Sequence, residues 1–339
     1  MPGGRMRGHY QGLRITSAFQ PVFSIAHSRP VGYEALARAV DGAGVPVSPA
    51  ELFGHAREHD DIVQLDRLCR LVHATNFAAE ATGPHWLLLN MHPYAFSDRV
   101  RFATMLPELL ARLNLPPHRV VVEVLESALY RGTDLVDPIE DVRKTGCLVA
   151  IDDFGAGHSN FDRVLRMRPN IVKLDRSLIR QASLDRTARI FMSRITSMLH
   201  EANCLVLAEG VETGAEAITA LDADVDLLQG FYFCRPAETI AQCRADERLF
   251  EGLYQQSQRL FHVERMTYEA EVGPYQAAIE TAAARLRQGE TMEEACRDFL
   301  ALALAERCYV LRESGEQDGK ALLAQRARAG RDPRFRPVA

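Results

Sequence analysis

Between about residues 17 and 236 the chain carries eight short apolar runs of strand length, most of them separated by helix-like segments. The runs are FQPVFSIA (19–26), VGYEALA (31–37), WLLLNMH (86–92), RVVVEVLE (119–126), CLVAIDDFG (147–155), NIVKLDRS (170–177), CLVLAEGV (204–211) and DLLQGFYF (226–233). Strands alternating with helices in this number predict a (β/α)8 barrel. One link breaks the pattern. The first two runs are joined by HSRP (27–30) alone, and parallel strands need a crossover of about a dozen residues. One strand must therefore run antiparallel. The expected class is α/β, a modified (β/α)8 TIM-like barrel with one antiparallel strand, followed by a helical C-terminal extension.

The charges inside these apolar runs carry the functional information. Glu34, Asn90, Glu123, Asp152, Asp153, Lys173, Glu209 and Gln229 each fall in or just after the C-terminal half of a run, and they come from seven different runs. Any one of them alone reads as a rim residue with a satisfied hydrogen bond. Seven strands placing polar groups at one end is a different matter, because burying carboxylates without partners is costly and that end of such a barrel is where active sites are built. Oxygen donors without Cys or His favour Mg2+ or Mn2+ over zinc. Asp152 and Asp153 are adjacent, and neighbours on a strand point to opposite faces. Both reach one site only where the chain turns, and the following FGAG is the expected turn. Two metals about 3.5–4 Å apart suit in-line phosphoryl displacement. The residues themselves thus point to metal-dependent phosphoester hydrolysis. Metal-assisted proton abstraction with Lys173 as base competes on the same set.

Composition narrows the field. The 339-residue chain is 47% hydrophobic with a net charge of −5. That argues against a generalised nucleic-acid-binding surface, which needs a basic face, and no DNA or RNA polymer is expected as partner. The seven cysteines lie scattered in apolar contexts without metal-ligand spacing, as expected for reduced thiols in a cytoplasmic protein. The N-terminal MPGGRMRGHYQGLR has no apolar core of a signal peptide, and FLALALA is far too short to span a bilayer.

The ordered string FQPVFS, EALAR, LLLNMHP, VVEVLE, AIDDFGAG, IVKLD, LAEGVE and QGFYFCRP resembles the EAL family of cyclic di-GMP phosphodiesterases over roughly residues 14–245. Eight motifs in order make the resemblance specific where a lone E-A-L would mean nothing. The resemblance implies hydrolysis of one 3′–5′ phosphodiester of cyclic di-GMP to linear pGpG in bacterial signalling, with two Mg2+ or Mn2+ ions per site. It implies Glu34, Asn90, Glu123 and Asp152 as ligands of one metal, and Asp152 with Asp153 as ligands of the second. Lys173 would orient the attacking water, Glu209 would be general base or partner of a metal-held water, and Gln229 a water-binding group. Which of Lys173 and Glu209 takes the proton stays open. Gln20, Arg38, Asp153 and Glu212 match residues that hold the substrate, and guanidinium at Arg38 suits a phosphate. Glu126 matches the glutamate that anchors the loop 155–164, where Ala156 and His158 stand in place of the commoner Thr and aromatic. Asp66 also matches a family residue, with a helix-surface ion pair as the plainer reading. A homodimer is implied as well. The alternative on the same motifs is a receptor that binds cyclic di-GMP without cleaving it.

The expected organisation is a tail (1–13), the barrel (14–245), a helical linker (246–306) broken near Gly273-Pro274 and at QGE (288–290), and the start of a truncated module (307–339). That last module loosely resembles a PAS/Cache-like sensor and shows one strand, CYVLRESG (308–315).

Overall fold

The computed structural model describes residues 4–56, 58–96, 99–125, 136–156, 166–243 and 247–324. The chain divides into two compact units, Met1–Ser257 and Gln258–Ala339.

In the first unit, strands β2 (Leu13–Ser24), β3 (Arg29–Val40), β5 (Trp86–Asn90), β6 (Val120–Leu125), β7 (Leu148–Phe154), β8 (Ile171–Leu174), β9 (Leu205–Ala208) and β10 (Leu227–Leu228) close into a ring through the β2–β3 and β10–β2 pairings. Each of the eight apolar runs supplies one strand. β2 is antiparallel to both of its neighbours, and the pairings from β3 through β10 are all parallel. The antiparallel member required by the short HSRP link is therefore the first barrel strand. Its connection to β3 is a tight turn with Ser28 in the left-handed region, at φ 51°.

Two edge strands extend the sheet. β1 (Gly8–Tyr10) pairs antiparallel with β2, and β4 (Pro46–Val47) pairs with β3. Residues 8–10 are thus not the free tail expected from sequence. Gln11 and Gly12 both have positive φ (47° and 79°), the geometry of a two-residue hairpin turn that matches strand twist.

Helices α1 (Pro49–Gly54), α2 (His59–Glu80), α3 (Arg99–Arg112), α4 (Val136–Lys144), α5 (Arg176–Leu184), α6 (Arg186–Glu201) and α7 (Gly214–Asp222) connect the strands. Several start immediately after a strand end because a side chain caps them. Asp175 accepts from the Ser177 amide to open α5 just beyond β8, and Thr213 with Glu216 forms a capping box at α7. The main core lies between the barrel wall and these helices. A second, smaller core fills the barrel interior with Val22, Leu88, Val121, Ala150, Ile171, Leu207 and Leu227, with Trp86 packed against it. Trp86 is a packing residue, as its position at a strand start suggests.

In the second unit, the rest of α8 (Glu247–Arg287) is followed by α9 (Met292–Ala295), α10 (Arg297–Ala301) and an antiparallel hairpin of β11 (Arg307–Leu311) and β12 (Gln317–Leu323). The expected break at Gly273-Pro274 does not occur, since α8 runs through Pro274. Proline removes one helical donor, and the ladder on either side carries the helix past it. The helix ends at Arg287, and Gly289 two residues on closes the turn in the left-handed region at φ 90°. The strand expected alone at 308–315 has a partner in β12, which a polar, Gly-containing sequence conceals.

Candidate active site

Strand alternation decides which side chains enter the barrel. Side chains two apart share a face, so the residue two beyond each member of the apolar interior layer also points inward. Leu88 is followed by Asn90, Val121 by Glu123, Ala150 by Asp152, Ile171 by Lys173, Leu207 by Glu209 and Leu227 by Gln229. β2 runs the other way, so Gln20 precedes Val22. Glu34 completes the ring, opposite Gln20 in the β2–β3 register. A polar layer thus sits directly on an apolar one.

Lys173 lies at its centre, 1% exposed. Its Nζ is 2.5 Å from Glu209 Oε1, 2.6 Å from Glu123 Oε1, 3.1 Å from Asp152 Oδ1 and 4.0 Å from Glu34 Oε2. Burial pulls the lysine pKa down, but the attraction of Asp152, Glu123, Glu209 and Glu34 outweighs it and holds the pKa well above the usual value. Burial pushes the Glu123 and Glu209 carboxyls well above the ordinary range against the pull of Lys173, and the neighbouring carboxylates add to the rise. Four acidic side chains share this one ammonium, and burial with mutual repulsion disfavours their ionised forms unless further positive charge is brought in.

The amides complete the wiring. Asn90 Nδ2 donates to Glu34 Oε1 at 2.7 Å, and Gln229 Nε2 donates to Glu34 Oε2 at 2.8 Å. Gln20 Nε2 donates to the Cys234 carbonyl at 3.2 Å. Gly230 permits the close approach that brings Gln229 beside Glu209. A Cβ there would lie 2.0 Å from the Val211 carbonyl oxygen.

Asp153 reaches the site by a different device from the one expected. The β7–β8 register shifts between Ile151 and Phe154, and Asp153 has φ 59°. The turn is therefore made at Asp153 itself, before the FGAG glycines. Burial and then the neighbouring Asp152 and Asp175 carboxylates raise its pKa. Oxygens of Asp152, Asp153 and Glu209 lie within 4.8 Å of one another.

These residues fit divalent cations. Oε2 of Glu123 and Oε1 of Gln229 are buried without a hydrogen-bond partner, the donors are all hard oxygens, and four acidic groups share Lys173 alone.

A cavity of about 220 Å³ opens above Glu34, Glu209 and Gln229, lined also by Gln20, Arg176, Glu212 and Phe231. Glu212 sits at its mouth, paired with Arg176 at 2.5 Å, and its backbone is held by the Glu216 carboxylate of the α7 capping box. Arg38 does not line this cavity. It lies further along β3, half-buried, and donates to the Ala37 carbonyl at 2.9 Å. Arg176 and the exposed Phe231, which Arg235 covers at 4.3 Å from the ring centroid, were not among the residues expected from sequence. Only their place directly after a polar strand end hints at them. Asp66 is no surface residue. It is buried, paired with Arg70 at 2.8 Å, and accepts from the His92 amide, tying α2 to the segment after β5. Glu126 and His158 lie outside the described residues.

The family model for the EAL domain matches residues 8–236. This chain belongs to the EAL domain family. Among its relatives, the cyclic di-GMP phosphodiesterase RocR of Pseudomonas aeruginosa is 26% identical over 224 residues, covering 64% of this chain and 56% of RocR. The signaling protein YkoW of Bacillus subtilis is 28% identical over 240 residues, covering 68% of this chain and 29% of YkoW. The chain spans less than two thirds of either relative's length. Among solved structures, Klebsiella pneumoniae BlrP1 in a calcium and cyclic di-GMP complex superposes with a TM-score of 0.61 at 28% identity, covering 68% of this chain and 59% of that one. A standalone EAL protein of Vibrio cholerae, bound to cyclic di-GMP, gives 0.58 at 29% identity, covering 66% and 93%. No helix among the described residues is long and apolar enough to cross a membrane.

Proposed function

We propose that this chain hydrolyses one phosphodiester of cyclic di-GMP to linear pGpG with the help of Mg2+ or Mn2+, two ions per site. The observation that carries the reading is the buried polar layer in which Glu34, Asn90, Glu123, Asp152, Lys173, Glu209 and Gln229 converge, with unpartnered oxygens on Glu123 and Gln229. A set of buried charges this costly favours a catalytic site over a receptor.

Glu34, Asn90, Glu123 and Asp152 would hold one cation, and Asp152 with Asp153 the other. Bound cations would polarise the phosphoryl oxygens and make a water more acidic. The chain's own residues do the rest. Lys173, held charged by the carboxylates around it, donates hydrogen bonds and orients the attacking water. A charged ammonium has no lone pair, so Glu209, in contact with Lys173 and ionised once bound cations offset the neighbouring carboxylates, would accept the proton. The same charge state disfavours Lys173 as the base of a proton-abstraction enzyme. Gln20, Arg38 and Glu212 hold the substrate, Gln229 fixes Glu34, and Phe231 offers a ring for a base to stack on.

Incubation of the purified chain with cyclic di-GMP and Mn2+ or Mg2+ tests this. Appearance of pGpG is expected. Tight binding without product would favour the receptor, and neither binding nor product would sink both readings.

A further inference from the structure

The β2–β3 ribbon continues past the catalytic layer. Gln20 is opposite Glu34, Ala18 opposite Leu36, Thr16 opposite Arg38, and Arg14 opposite Val40. Side chains two apart share a face, so these pairs form one strip that runs outward from the catalytic residues. The other face of the ribbon is turned to the helices, where Ile15 and Ala39 pack with Leu52 of α1 and Leu65 of α2. At the outer end of the strip lies a second cavity of about 370 Å³, whose lining includes Arg5, Arg7, Arg14, Arg38, Pro236 and Glu238.

Four guanidiniums converge on this cavity in a chain of net charge −5. Arg5 is paired with Glu80 at 3.0 Å. Arg7, Arg14 and Arg38 make no ion pair with any of the described residues, and Glu238 offsets only one of the three. Arg7 and Arg14 are exposed. An electropositive cavity on the same strip as the acidic catalytic layer suits a ligand with an anionic group beyond the one that reacts. A cyclic dinucleotide has two phosphodiesters, and only one can lie at the reacting centre.

We propose that Arg7 and Arg14, together with Arg38, form a second anion subsite that holds the phosphodiester not being cleaved. This rests on the reading given under Proposed function. Arg38 belongs to the substrate set expected from sequence, whereas Arg7 and Arg14 are new. They are specificity residues, not catalytic ones. The distal phosphate is unchanged by the reaction, so its contacts bind substrate and transition state alike, and losing them raises KM without lowering kcat.

The test compares the full chain with its R7A/R14A variant in Mn2+, on cyclic di-GMP and on bis(p-nitrophenyl) phosphate, which has one phosphodiester and no second phosphate. Loss of charge-assisted hydrogen bonds should raise KM for cyclic di-GMP on the order of tenfold. The ratio of kcat/KM for cyclic di-GMP to that for the small diester should fall by a similar factor. Equal melting temperatures for the two proteins serve as the fold control. An unchanged KM, or the same loss on both substrates, would overturn the subsite and leave the functional reading standing. A wild-type chain that neither binds nor cleaves cyclic di-GMP would overturn the functional reading itself. If the wild type binds without cleaving, the same comparison is made on Kd, with the same expected factor.

Discussion

Val22, Leu88, Val121, Ala150, Ile171, Leu207 and Leu227 fill one level of the barrel interior, while Gln20, Asn90, Glu123, Asp152, Lys173, Glu209 and Gln229 fill the next. On each of these strands the two levels are two residues apart, on the same face, so the backbone offers both the same geometry. What differs is access. The upper level borders the open mouth, and its charges are partly balanced by Lys173. The lower level is sealed and holds only hydrocarbon. The comparison teaches that the lower layer supplies stability and the upper layer gives some of it up for chemistry. Changes in one layer should therefore move a different observable from changes in the other.

The largest effect is expected from Lys173→Met. It removes the one cation that Glu34, Glu123, Asp152 and Glu209 share, so turnover of cyclic di-GMP should fall on the order of 10²- to 10³-fold. The metal-free protein should also lose stability, since removing one partner of a buried ion pair typically costs about 3–5 kcal/mol. Thermal denaturation with and without Mn2+ checks this. Added Mn2+ should restore more melting temperature in the variant than in the wild type, because a divalent cation meets the same carboxylates. A variant that melts like the wild type without metal would break the claim that Lys173 balances the upper layer.

Glu123→Gln sharpens the same contrast. Burial already holds the Glu123 carboxyl well above its ordinary pKa, so a neutral isostere removes a desolvation penalty along with the attraction to Lys173. Turnover should drop about 10²-fold while urea stability of the metal-free protein holds or rises. Leu88→Ala should do the reverse, costing about 2–5 kcal/mol of stability with kcat of the folded protein within about threefold of wild type. If Leu88→Ala lost activity but not stability, the division of labour between the layers would be wrong.

Both layers were readable in the sequence, though unequally. The eight runs and the antiparallel member followed from hydrophobic pattern and the length of one link. Seven polar interruptions at strand ends marked the upper layer, because a charge in an apolar run is rare enough to be informative. Residues whose position depends on something other than period two were harder to place. Asp153 enters the site through a bulge at its own left-handed φ, which pattern alone cannot show. Arg176 and Phe231 sit on the connections after strand ends, where sequence carries no periodic signal. Arg14 gains meaning only once register places it beyond Arg38, and Arg7 only once the fold brings it to the same cavity. Pro274 read as a helix end because proline usually is one, and β12 was missed because its exposed residues carry little apolar signal.

A buried group outside the barrel wall gives the smallest effect and the finest comparison. His73 of α2 is as enclosed as Lys173, yet its pKa moves the other way, down to about 3. Burial is the main cause, and Arg38 and Arg5 push in the same direction, whereas Lys173 has carboxylates to oppose burial. The hydrogen bonds agree with a neutral ring. Asn76 Nδ2 donates to Ser17 Oγ at 3.1 Å, which leaves the Ser17 hydroxyl proton free to point at His73 Nδ1, 2.8 Å away. A protonated Nδ1 would oppose it. In the unfolded chain His73 titrates at about 6.5, so below that pH the unfolded state binds a proton that the folded state refuses. The stability this group contributes is complete above about pH 6.5 and is lost as pH falls toward 3, at a limiting slope of about 1.4 kcal/mol per pH unit. His73→Asn keeps an acceptor near the Nδ1 position and cannot titrate. Urea unfolding of both proteins between pH 7 and pH 5 should show a shallower acid loss in the variant, whatever its stability at pH 7. Parallel slopes would mean that His73 is already charged in the fold, and that enclosure by itself does not decide the charge state on either side of the wall.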